Sequence, residues 1–312
     1  VNRRVATLDI GTNSVLLLVA EATAEGPRPL LERATITRLG EGVDRTRTLA
    51  PAARERTLEC LARYAEDMRR LDVHERAAVG TSALRDAQGG GDFTQAAARI
   101  LGVTPQVIAG EREAALTFRG ALSGLSVSGP VTVFDVGGGS TEIVQGSSEG
   151  QSARVESAVS LDIGSVRLFE RHVRSDPASD SELEQARADI DAALRGAPRA
   201  ENGRVLVGVA GTVTTLAAIA LELTNYDSSL VHGFVLTRAV AHDIAQKLAR
   251  LALPERRNLR GLEPKRADVI VLGALIVERV MDFAAATELV VSDRGVRWGL
   301  AEELLESAST NR

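Results

Sequence analysis

The residues with the chemistry to engage a polyanion sit in two short, matching turns. In residues 131–144, VTVFDVGGGSTEIV, Asp135 ends a β-branched run and Gly137, Gly138, Gly139 and Ser140 follow at once. Three glycines let the chain turn sharply and bring backbone N–H groups close to an anion. Thr141-Glu142-Ile143-Val144 resumes strand character, so the unit reads as strand, carboxylate, glycine turn, strand. The pattern recurs near the start: residues 5–8 lead into Asp9-Ile10-Gly11-Thr12-Asn13-Ser14, and residues 15–19 return. The two aspartates lie 126 positions apart. One such turn is an ordinary hairpin feature. Two copies, each with Asp before and Ser after, point to two related domains that each offer a phosphate hairpin.

These motifs resemble the phosphate hairpins of the actin, sugar-kinase and heat-shock-chaperone ATPase superfamily. Within it, the chain is similar to the exopolyphosphatase and guanosine-pentaphosphate phosphohydrolase family. The further stretches that carry the resemblance are GTSALRDA (80–87), AGEREA (109–114), SLDIGSVRLFE (160–170), GVAGTVTTLAA (208–218), VHG (231–233), GLEPKRADVI (261–270) and VSDRG (291–295). Together they run from Asp9 to Gly299.

The resemblance implies an α/β fold of two actin-like (ribonuclease H-like) domains facing each other across a cleft. Residues 1–123 would form the first and 124–295 the second, with the tail helix 296–312 packing back on the first. The implied reaction is Mg²⁺-dependent removal of terminal phosphate from inorganic polyphosphate. The family's catalytic base maps to Glu113 of Gly110-Glu111-Arg112-Glu113-Ala114, and not to Glu111. The residue's own setting agrees, because Glu113 follows a strand and a glycine and opens a helix. From there a carboxylate can deprotonate a water in line with a terminal phosphorus. An acidic residue is also favourable at a helix N-terminus with no catalytic part.

Asp9 and Asp135 repel phosphate, so their implied work is to hold Mg²⁺, with Glu142 as a further metal or water ligand. Thr12, Asn13, Ser14, Gly137, Gly138, Gly139 and Ser140 supply amide and hydroxyl donors to phosphate. Thr81 and Arg85 match family positions that reach it, Arg85 as a planar fork. Gly211 and Thr212, in a strand-to-helix glycine turn, would serve the phosphate chain or a guanosine nucleotide; close packing of strand on helix is the plain alternative. Ser160, Gly164 and Arg167 resemble a second-domain loop of the family. Trp298 stands where members often carry an acidic residue.

Composition narrows the classes. A chain of 312 residues can build two cores, and 44% hydrophobic with 25% charged residues is an ordinary globular balance. A net charge of −5 argues against general nucleic-acid binding. Only Lys247 and Lys265 are lysines, so the cations are nearly all arginine forks suited to phosphate. Cys60, the one cysteine, excludes an intrachain disulfide or a cysteine zinc site and reads as a core residue. His74, His172, His232 and His242 lack metal-ligand spacing. Arg3-Arg4 precedes an apolar run that Asp9 interrupts too early for a signal peptide, and residues 269–277 are too few to span a bilayer. The expectation is a cytoplasmic protein with no nucleic-acid or membrane partner; a homodimer is left open.

The elements that must position these residues follow from pattern. A third strand is predicted over 30–39, an amphipathic helix over 51–71, a strand at 77–79, a helix over 93–101, a strand near 106–108 and a helix over 111–123. Gly89, Gly90 and Gly91 read as a solvent loop. The second half predicts a hairpin at 131–146, a strand at 153–160, a helix from about 162, and a helix at 181–195 capped by Ser181 with Glu184. A strand at 205–207, helices near 212–223, 237–251 and 265–283, a strand at 289–291 and a tail helix at 296–306 complete it. The reading is an exopolyphosphatase. Guanosine pentaphosphate hydrolysis is the alternative within the family. An ATP-dependent kinase of the superfamily is disfavoured by the lack of an acceptor-sugar motif. A non-catalytic polyphosphate or alarmone sensor would not need Glu113.

Overall fold

The structure is a computed structural model that describes residues 3–24, 26–88, 90–149, 152–198 and 203–307. It divides into two compact units, Val1–Gly120 with Val296–Arg312, and Ala121–Gly295.

In the first unit, β1 (Arg4–Ile10), β2 (Ser14–Thr23) and β3 (Gly26–Ile36) precede α1 (Val43–Thr46) and α2 (Pro51–Arg70). Then come β4 (Glu75–Gly80), α3 (Ser82–Asp86), α4 (Gly90–Leu101), β5 (Gln106–Val107) and α5 (Gly110–Leu122). The sheet order is β3-β2-β1-β4-β5. β1 pairs antiparallel with β2 and parallel with β4, which places both the Asp9 turn and Gly80-Thr81 at one end of the sheet. β1 is buried along most of its length, as a central strand covered on both faces should be. One face packs Leu8, Ile10 and Leu17 against Leu61 and Met68 of α2.

The second unit starts with β6 (Gly129–Val136), β7 (Thr141–Glu149), β8 (Ser152–Leu161), α6 (Ser165–His172), α7 (Asp180–Leu194), β9 (Val205–Val209) and α8 (Ala210–Ala220). It continues through α9 (Ser228–Val231), β10 (Val235–Thr237), α10 (Arg238–Arg250), α11 (Leu253–Arg256), α12 (Ile270–Phe283) and β11 (Glu288–Val291). Its sheet runs β10-β11-β9-β6-β7-β8. Read from β8, the hairpin strands, the parallel β9 and then β11 repeat the plan of the first unit, and the motif repeat is thus a structural one. α12 is buried almost all round, with Leu272, Ile276 and Val280 in the core.

α13 (Val296–Ser307) belongs to the first unit. Trp298 and Ala301 pack on Val5, Leu18 and Ala20, and the indole N–H donates to Glu32 Oε2 at 3.2 Å. Trp298 is therefore a core residue, where the sequence left its role open.

Several boundaries differ from the predicted ones. β3 starts at Gly26 and ends at Ile36, because Thr37 and Arg38 turn to donate backbone N–H bonds to the Asn13 carbonyl. Gly90 and Gly91 are the first turn of α4 and not a loop; Gly89 lies outside the described residues. α7 is capped by Ser179 with Glu182, not by Ser181 with Glu184, since the chain already turns at Ser179. The predicted helix over 265–283 is broken: Pro264–Arg266 is a 3₁₀ turn and α12 begins at Ile270. The tail helix ends at Ser307, and residues 308–312 lie outside the described residues.

Candidate active site

In the first unit the turn after β1 is closed by Gly11 N–H to the Ser14 carbonyl at 3.0 Å. Its other carbonyls face the unit's own backbone: Thr12 O accepts from Gly40 N–H at 2.9 Å, and Asn13 O from Thr37 and Arg38 at 3.1 and 3.0 Å. Gly40 packs closely on the turn: a Cβ there would lie 2.3 Å from Thr12 Cγ2, so the Thr12 side chain would have to shift. The buried Thr12 hydroxyl sits 2.7 Å from Ser82 Oγ, at the start of α3. Gly11 faces a small polar cradle. A Cβ there would be 3.9 Å from Asp9 Oδ1 and 3.8 Å from Thr81 Oγ1.

Arg85, at the end of α3, reaches the start of α5. Its Nη1 donates to the Ile108 carbonyl at 3.0 Å and to Glu113 Oε2 at 3.1 Å. Glu113 is only 7% exposed, whereas Glu111 points to solvent and Arg112 is paired with Glu303. The structure thus brings Arg85 and Glu113 together across 28 residues, in the unit that carries Asp9, Thr12, Asn13, Ser14 and Thr81.

The second unit repeats the turn. Gly137 N–H donates to the Ser140 carbonyl at 3.0 Å. Here α6 takes the carbonyls. Ser165 N–H bonds Gly137 O at 3.0 Å, Val166 and Arg167 N–H bond Gly138 O at 2.9 and 3.0 Å, and Arg167 Nε donates to Gly139 O at 2.6 Å. With the carbonyls held by α6, the backbone N–H groups of the turn are set towards the opposite side, as in an anion nest. Gly164 makes this contact possible: a Cβ there would lie 2.5 Å from the Gly138 carbonyl carbon and oxygen. Asp135 is half-buried and lies across the hairpin from Glu142 in register. Glu142 is 1% exposed and accepts from Ser160 Oγ at 2.7 Å.

Gly211 and Thr212 divide. The Thr212 hydroxyl is buried and donates to Val136 O at 3.2 Å, joining strand to helix. Gly211 lies under Arg266, whose guanidinium would be 2.2–2.5 Å from a Cβ at that position. Burial lowers the Arg266 guanidinium from its ordinary value, against the opposing pull of Glu263 and Tyr226. Ala210, just before, adopts a left-handed φ of 69°, a costly conformation for a residue with a Cβ. Arg266 and Ser82 lie inside quoted motifs and Gly40 outside them, but nothing in their local pattern marks any of the three as part of the site.

The donor set suits Mg²⁺. That ion is usually held by one or two carboxylates, with waters and substrate phosphates completing the shell. Asp9 and Thr81 oxygens border the Gly11 cradle, and the buried Asn13 Oδ1 has no hydrogen-bond partner. Among the described residues no group of three His, Cys, Asp or Glu side chains forms an all-protein metal cage, and no helix is long and apolar enough to cross a membrane.

Comparison with known proteins adds four findings. Residues 18–308 match the Ppx/GppA phosphatase family. Exopolyphosphatase 2 of Mycobacterium tuberculosis is 39% identical over 319 residues, covering 96% of this chain and 98% of that protein. The guanosine-5'-triphosphate,3'-diphosphate pyrophosphatase of Vibrio atlanticus is 29% identical, over 96% of this chain and 59% of its own length. Among solved structures, the Aquifex aeolicus member of the Ppx/GppA family superposes with a TM-score of 0.80 at 32% identity, covering 99% of both chains.

Proposed function

The chain belongs to the Ppx/GppA phosphatase family and is a phosphoanhydride hydrolase, and on that footing we propose that it removes terminal phosphate from inorganic polyphosphate with Glu113 as general base. The observation that carries this reading is the buried Glu113 carboxylate at the first turn of α5, 3.1 Å from the Arg85 guanidinium. Glu113 takes a proton from water as the water oxygen bonds the terminal phosphorus. The bridging P–O bond breaks, and the shortened chain leaves with the electron pair. Arg85 turns its fork to the equatorial phosphate oxygens, where negative charge gathers. The N–H groups of Gly138, Gly139 and Ser140, and the Thr12, Asn13, Ser14 and Thr81 donors, bind the phosphates; Gly211 offers one further amide. Asp9, with Thr81 and Asn13, and Asp135, with Glu142, are the groups that would hold Mg²⁺, which when bound neutralises phosphate oxygens.

A second substrate within the family, guanosine pentaphosphate, is favoured by the likeness to the Vibrio enzyme named for it. One experiment separates the two: phosphate release from long polyphosphate, short polyphosphate and guanosine pentaphosphate, side by side, with and without chelator. Glu113→Gln keeps the shape of the side chain but cannot accept the proton, so kcat should fall by about 10²–10⁴-fold. Glu111→Gln, on an exposed side chain, should be silent. Retained activity in Glu113→Gln would place water activation elsewhere. Faster release from guanosine pentaphosphate than from either polyphosphate would reverse the substrate assignment.

A further inference from the structure

The last helix of the first unit bears directly on α5. At Gly299, in the first turn of α13, a Cβ would lie 2.1 Å from the Leu116 carbonyl oxygen, 2.9 Å from its carbonyl carbon and 3.1 Å from its Cα. These are backbone atoms, so no side-chain rotation relieves the clash. Leu116 is one helical turn beyond Glu113. Ion pairs brace the same two helices along their length: Arg112 to Glu303, and Arg119 to Glu302 at 2.7 Å and to Glu306. Val296 packs with Leu116, with Val79 of β4 and with Ile108, the residue that leads from β5 towards α5. On its other face α13 is seated on the sheet by Trp298, and Thr7 Oγ1 donates to the Arg297 carbonyl at 2.7 Å.

We propose that Gly299 is a positioning residue for hydrolysis: through its contact with Leu116, and with the Arg119 ion pairs, α13 sets the axial placement of α5 and thereby the reach of Glu113. The inference rests on Glu113 being the base. An alanine at 299 must push α5 and α13 apart by about 1 Å to restore a normal contact, because packed backbones have no slack to absorb it. A displacement of that size at a reacting group costs about 10²-fold in rate.

The test is steady-state hydrolysis of polyphosphate by Gly299→Ala, Glu113→Gln and the double variant, with thermal melts of each. Gly299→Ala should lower kcat by about 10–100-fold and leave KM within about threefold, since the phosphate loops are untouched. In the double variant the losses should not multiply, because a misplaced base and a missing base are one defect. Trp298→Phe is the control: it disturbs the opposite face of α13, so it should lower the melting temperature and keep kcat. Wild-type kcat in Gly299→Ala, or multiplying losses in the double variant, would overturn the inference. So would an equal fall of kcat in Trp298→Phe. Should Glu113→Gln itself stay active, the base assignment falls instead. If Gly299→Ala does not fold, the double charge variant Glu302→Gln with Glu306→Gln replaces it. It frees Arg119 without touching the core, and a fall in kcat of about threefold at constant KM supports the brace, while an unchanged kcat overturns it.

Discussion

Arg85→Met tests whether Arg85 and Glu113 act as one electrostatic unit. Arg85 Nη1 lies 3.1 Å from Glu113 Oε2, with side-chain exposures of 26% and 10%. At an effective dielectric of about 20 that separation corresponds to a gross attraction of about 5 kcal/mol. Desolvation and the quarter-exposed guanidinium reduce the net cost of removing Arg85 to about 1–3 kcal/mol, most of it from leaving a carboxylate buried without its cation. For a unit of this size that is a fall in melting temperature of about 3–10 °C. The informative comparison is with Arg85→Met in a Glu113→Gln background. Removing the stranded charge should recover most of the stability, so the double variant should melt above Arg85→Met even though both are inactive. Differential scanning calorimetry near neutral pH reads this directly. A double variant that melts no higher than Arg85→Met would show that Glu113 is not the group Arg85 neutralises, and the pairing would lose its place in the mechanism.

Two further outcomes follow from particular contacts. Gly164→Ala places a Cβ 2.5 Å from the Gly138 backbone, so the glycine turn must move; kcat/KM should drop about 10–100-fold, mainly through KM. Gly91→Ala, where no atom lies within 4 Å, should leave activity intact, and equal kinetics for the two variants would refute the role given to Gly164. The third concerns acid stability. Hydrogen bonds from the Ser175 hydroxyl and the Ser179 backbone hold Glu182 down to about 2, from an ordinary 4.5. A lowered folded value means the stabilisation is complete above about 4.5 and is lost as pH falls towards 2. Glu182→Gln should therefore flatten the fall of melting temperature across that window, and identical slopes for the two proteins would discount the cap.

The hairpins were legible because each packs its chemistry into a few adjacent residues: a β-branched strand, a carboxylate and a glycine turn. Their repetition pointed to two related domains, and the strand order within each sheet came only with the structure. What sequence could not show was contact between distant segments. Arg85 and Glu113 are 28 residues apart, and nothing local in GTSALRDA says that its arginine turns towards AGEREA. Gly164 matches a family loop in sequence, but its close contact with the Gly138 backbone shows only in the fold. The α7 cap was misplaced because SDSELE offers two overlapping capping boxes, and only the path of the incoming chain chooses Ser179. Trp298 was ambiguous for the opposite reason. Its partners, Val5, Leu18 and Ala20, lie nearly the whole chain away.

That last contact sets an order of events during synthesis. The strands that will receive Trp298 and Ala301 are made first, yet α13 follows only after the whole of Ala121–Gly295, a self-contained unit of continuous sequence. At about 5–20 residues per second, a translating ribosome needs roughly 9–35 s to deliver it. During that interval the second unit has all of its sequence before the first does. Val5, Leu18 and Ala20 meanwhile present an uncovered apolar strip to the surroundings of the nascent chain. Pausing of translation inside the second unit would prolong that exposure.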